Sequence, residues 1–80
     1  INLLIYPNPS TGKFVIEKPA NLDEVVHVKI LDVNSKLVLE TNIQKENKSA
    51  NIDFSKNNSG LYFIQIILNN KVSVKRFFKE

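Results

Sequence analysis

Hydrophobic residues recur at every second position in short runs along this chain. Lys13-Phe14-Val15-Ile16-Glu17 sets Phe14 and Ile16 on one face, because side chains alternate along an extended backbone. Between Glu24 and Val33, Val26, Val28 and Ile30 share a phase, with His27 and Lys29 in the other. Leu37 to Ile43 returns as a strand paired with its predecessor. Asn51 to Phe54 is shorter, with Ile52 and Phe54 in phase. Leu61 to Leu68 is apolar in both phases except at Gln65, which predicts a central strand. One side of it should face an opposite sheet; edges or a partner should cover the other. Lys71 to Lys79 closes the series as a strand, and Leu3 to Tyr6 adds a possible short one.

Turn residues separate these runs. Asn69-Asn70 is a two-residue loop of the kind that supplies two positive φ values in a type I′ hairpin. Asp32-Val33-Asn34-Ser35 and Lys56-Asn57-Asn58-Ser59-Gly60 carry turn chemistry, and Lys45 to Ser49 reads as a loop. Thr41-Asn42-Ile43-Gln44 matches a capping box, but no helical period follows it. Short alternating strands with regular turns indicate an all-β sandwich or barrel. In the last strand, Val72, Val74 and one phenylalanine are expected in the core. Arg76 falls in their phase; a β-bulge near Lys75 would restore the register and bury Phe77 instead of Phe78, and the sequence leaves open which of the two is buried.

Eighty residues make one domain, spanning residues 1–80. A chain so short buries about three-fifths of its unfolded surface, so its core must be well packed. Cysteine is absent, which removes disulfides and thiolate metal sites. The net charge of +3 comes from scattered cations and acids, which argues against nucleic acid as a partner. The longest apolar stretch is far below the roughly 20 residues of a membrane span. No signal peptide is recognisable and the first residue is Ile1. The chain therefore reads as a mature fragment or a domain of a longer protein, with any export signal outside it.

No catalytic, cofactor or metal site is expected. His27 stands alone on a strand face, without ligands at metal spacing. Asp32-x-Asn34 lacks the glycine and distal glutamate of a calcium loop. With Gly12 and Gly60 as the only glycines, there is no phosphate-binding loop. No base is tied to any serine. Asn47-Lys48-Ser49 and Asn57-Asn58-Ser59 match the glycosylation pattern and read as surface turns.

The opening "YPNPSTGKF" is followed by "VKILDVNSKLV", then "IDFSKNNSGLYFIQI", then "KVSVKRFFKE". In order and spacing, from about Tyr6 to Lys79, this strongly resembles the type A C-terminal sorting domain of the type IX secretion system. The specific parts are Tyr-Pro-Asn-Pro with its later glycine, and Ser-Gly-Leu-Tyr before an alternating strand. Two positions depart from the family: Ser35 stands where a hairpin glycine is usual, and Asn57 where leucine is. Asn34 is expected to take the positive φ in place of that glycine.

The resemblance implies a small Ig-like β-sandwich of about seven antiparallel strands, fused behind a secreted cargo protein of a Bacteroidetes-type bacterium. It implies that cargo passes through the periplasm and then an outer-membrane translocon, to the cell surface or the medium. A sortase-like cysteine protease would remove the domain and attach the cargo to lipopolysaccharide. The domain itself would be ligand and substrate, not enzyme. The motif positions it carries over are Pro7, Asn8, Pro9, Gly12, Gly60, Tyr62, Lys75 and Lys79.

Two other functions compete. A carbohydrate- or protein-binding Ig/fibronectin-like module would present aromatic platforms, yet the chain has no tryptophan and only two tyrosines. Lys75, Arg76 and Lys79 interleaved with Phe77 and Phe78 suit single-stranded nucleic acid, but suit a solvated edge strand better. In the opening stretch, Pro7 and Pro9 fix φ and remove backbone donors, and Gly12 is free to turn the chain. A fixed corner is expected there, not a tether.

Overall fold

The computed structural model describes residues 3–80 and contains strands and turns only. The strands are β1 (Leu4–Tyr6), β2 (Lys13–Glu17), β3 (Val26–Leu31), β4 (Leu37–Ile43), β5 (Ser49–Asp53), β6 (Gly60–Leu68) and β7 (Lys71–Lys79). They form two antiparallel sheets, ordered β1-β2-β5 and β4-β3-β6-β7. This is a small Ig-like sandwich.

Alternation builds the core from both sheets. Phe14 and Ile16 of β2 and Ile52 of β5 face Val26, Val28 and Ile30 of β3 and Tyr62, Ile64 and Ile66 of β6, all buried. At one end of the sandwich the core is aromatic. The Phe14 and Phe77 rings lie 4.2 Å apart, and Phe54 meets Tyr62 edge-on at 4.7 Å. Such pairs contribute about 0.5–1.5 kcal/mol each beyond their area.

The turns follow the sequence closely. Asn69 and Asn70 both take positive φ, at 51° and 64°. Asp32 accepts main-chain bonds from Asn34 (2.8 Å) and Lys36 (3.0 Å) at Oδ1, so this stretch is a turn. The positive φ in that hairpin falls on Ser35 (64°) and not on Asn34. With Asp32 holding the Asn34 amide, the reversal moves one residue on, to the position where the family has glycine. The fifth strand begins at Ser49, two residues before the predicted start, since Ser49 and Ala50 pair with Glu17 and Ile16. The third is shorter than predicted, Val26–Leu31.

The last strand differs most from expectation. No bulge interrupts it: β6 and β7 pair without a shift from Leu68↔Lys71 to Gly60↔Lys79. The tight Asn69-Asn70 turn fixes this register. Tyr62, Ile64 and Ile66 point inward, so their partners Phe77, Lys75 and Ser73 share that side. Val72 and Val74, expected in the core, are therefore more than half exposed, at 58% and 54%. The hairpin register, without any bulge, decides between the two phenylalanines: Phe77 is fully buried and Phe78 is half exposed.

Candidate functional site

The chain between β1 and β2 passes from one sheet to the edge of the other. Pro7 and Pro9 offer no N–H, so neither can donate to a ladder in either sheet. Both prolines follow cis peptide bonds. Pro7, Asn8 and Pro9 are exposed.

Asn8 turns its side-chain amide to the outer edge of β7 and bonds it as a neighbouring strand would. Its Nδ2 donates to the Arg76 carbonyl (3.1 Å), and its Oδ1 accepts from the Phe78 N–H (3.2 Å). Ser10 continues this with its own main chain. Its N–H donates to Phe78 O (3.1 Å), and its carbonyl accepts from Glu80 N (2.8 Å). Ser10 thereby makes a parallel bridge to Lys79. The opening corner and the final strand, some seventy positions apart in sequence, form one unit.

Ser10 also holds the turn that follows. Its Oγ donates to the Lys13 carbonyl and accepts from the Gly12 N–H, at 3.0 and 2.9 Å. Gly12 has φ 136° and is buried against Ser55, where a Cβ would lie 2.5 Å from the Ser55 Cα. The Gly12 carbonyl accepts from Phe54 N at 2.6 Å. Asp53 positions Ser55 from below: its Oδ1 accepts from Ser55 N (3.1 Å) and Ser55 Oγ (2.6 Å). These bonds hold the Asp53 carboxyl below its ordinary range, helped by Lys13 and Lys56.

The second motif segment lies beside the first. Gly60 (φ 140°) pairs with Lys79, whose other neighbour is Ser10. Tyr62 is buried and donates from its hydroxyl to the Asn58 carbonyl at 2.6 Å. That is the tyrosine corner of Ig-like sandwiches, made four residues upstream. Lys79 is buried between the two corners.

Six of the eight motif positions (Pro7, Asn8, Pro9, Gly12, Gly60 and Lys79) therefore lie on the two corners that meet at the end of β7. Tyr62 is the inner support of the second corner. Lys75 stands further along β7, opposite Ile64, and lines a groove with Leu3, Leu4, Ile5, Asn8 and Arg76. Sequence reasoning placed Ser10 in the turn with Gly12 but missed its bonds to β7, and it missed Ser55. The only signal for Ser10 was its place before a glycine turn, and Ser55 matters solely through its contact with Gly12.

Other candidate chemistry stays apart from this unit. His27 is exposed and donates from Nδ1 to Asn42 Oδ1 (2.7 Å) across a strand pair. Among the described residues no group of three His, Cys, Asp or Glu could hold a metal ion. No helix among them is long and apolar enough to cross a membrane.

The model of one protein family matches residues 4–80, and its description is "Secretion system C-terminal sorting domain". No curated protein matches the chain.

Proposed function

The chain belongs to the family of secretion system C-terminal sorting domains, the sorting signals of type IX secretion, and from that premise we propose how it works. Export of a cargo to the surface or the medium is what such a signal implies. In our reading the chain is one folded domain, residues 1–80, carried behind its cargo through the periplasm. The outer-membrane translocon binds it as a folded ligand, and a sortase-like cysteine protease then removes it. It performs no chemistry of its own.

The single observation that carries this reading is the clamp of Asn8 and Ser10 on β7. The opening motif is held there against the final strand, at the surface and in a fixed shape, with Gly60 of the second motif paired to Lys79 alongside. Pro7, Asn8, Pro9, Gly12, Gly60, Lys75 and Lys79 are the positions proposed to present that shape, with Tyr62 supporting it from inside.

Transplantation tests this. A reporter enzyme with an ordinary N-terminal export signal is expressed in a type IX-competent bacterium, with and without this chain at its C-terminus. The tagged reporter is expected at the cell surface or in the medium, and the untagged one in the periplasm. Equal retention of both overturns the proposal.

A further inference from the structure

The clamp covers only part of the last strand. In an antiparallel pair, successive residues direct their main-chain groups alternately to the partner and away from it. Arg76 O and both main-chain groups of Phe78 face outward, because Asn8 and Ser10 bond them. The same alternation directs the N–H and C=O of Val72 and Val74, and the N–H of Arg76, to that outer edge. Among the described residues no main-chain partner meets this half of the strand.

The side chains here are unusual for an open edge. Val72 and Val74 are exposed, next to Ile67 and Gln65 of β6 on the outer sheet face. On the inner side, Lys75 lines a groove with Leu3, Leu4 and Ile5. An apolar edge with unpaired main-chain groups invites another strand. Its charge selects which. Lys71, Lys75, Arg76 and Lys79 make β7 strongly cationic with no acid, and β6 carries no charge at all. A second copy paired antiparallel about Ser73 or Val74 would set lysines opposite or diagonal to one another, which is repulsive. An acidic strand would face complementary charge.

We propose that Val72 to Arg76 accept one extended segment of a protein partner as an added strand. Its outward side chains are apolar beside Val72 and Val74 and acidic beside Arg76, and its inward ones include acids that meet Lys71 and Lys75. The clamp at Asn8 sets where that strand must stop. The inference rests on the sorting reading, since the segment is assigned to the export machinery.

Val74→Pro tests it. The Val74 N–H points away from β6, so proline removes an edge donor without breaking the hairpin ladder. The variant is placed on the reporter fusion, with Val74→Thr as the control that keeps the donor. Val74→Pro is expected to fold, by circular dichroism, and to lower surface display at least tenfold, while Val74→Thr exports normally. Wild-type display of a Val74→Pro fusion, with the untagged reporter still trapped, overturns the edge inference alone. Export of the untagged reporter overturns the sorting reading instead. If Val74→Pro does not fold, Lys71→Glu with Arg76→Glu replaces it, both sites being exposed. The same loss is then expected, and normal display overturns the inference. A dimer of the isolated chain in sedimentation, abolished by Val74→Pro, also overturns it in favour of a second copy.

Discussion

Gly12 and Gly60 share nearly the same φ, 136° and 140°, yet they sit in opposite surroundings. A Cβ on Gly12 would collide with the main chain of Ser55, whereas one on Gly60 would meet nothing within 4 Å. The difference extends to the corners they serve. The Gly12 corner is held by distant partners: Phe78, Arg76, Glu80, Phe54 and Ser55. Apart from the strand pairing of Gly60 with Lys79, the Gly60 corner is held locally, by a tyrosine bonded four residues back. The first corner closes the fold by joining its two ends, while the second merely shapes one turn.

Alanine at each glycine measures this contrast most directly. Gly12→Ala combines backbone strain with a contact that only main-chain movement can relieve, and should cost about 3 kcal/mol or more. Gly60→Ala carries strain alone, and should cost about 1–2 kcal/mol. Urea melts of the two variants compare them. Equal losses would mean that the Ser55 contact is readily relaxed, and the contrast would fall.

Removing the polar links sharpens it at a smaller scale. Asn8→Ala and Tyr62→Phe should each cost about 1 kcal/mol, the usual net worth of such bonds. They should differ in where the loss appears. Without Asn8, the Phe78 amide at the far end of the chain should exchange its hydrogen faster. Without the Tyr62 hydroxyl, faster exchange should stay within the turn from Phe54 to Gly60. Widespread loss of protection in Tyr62→Phe would show that its corner is not local.

The smallest effect is on pH. Asp53 supports the Gly12 corner through Ser55, and its carboxyl titrates below the ordinary range because Ser55 donates to it twice. A depressed carboxyl pKa favours the fold at neutral pH, and that contribution fades as pH falls through the folded-state value. The melting temperature should decline in acid, and Asp53→Asn should flatten part of that decline. An unchanged slope in Asp53→Asn would assign the acid sensitivity to other carboxyls.

Much of this was legible in the chain. Four of the predicted strands, Lys13–Glu17, Leu37–Ile43, Lys71–Lys79 and Leu61–Leu68 (which the structure extends by Gly60), lie where the sequence pattern puts them. The Asn69-Asn70 hairpin and the Asp32 turn follow from residues that tolerate positive φ or bond their own backbone. The proline corner could be read as fixed, since proline acts on its own neighbours. What it was fixed to could not be read, because Asn8 finds its partners about seventy residues away.

The final strand marks the boundary between the two kinds of information. Counting apolar residues favours the phase of Val72, Val74 and Phe78 over that of Phe77, and a bulge would have been needed to satisfy both. The sequence by itself determined that this segment is a strand and that a tight turn precedes it. Only the tertiary structure decided which face it buries. The two-residue turn locks β7 to β6, and β6 is already committed by Tyr62, Ile64 and Ile66. A local pattern specifies extended backbone because alternation is a property of neighbours; burial is settled by whichever adjoining strand holds the register more strongly.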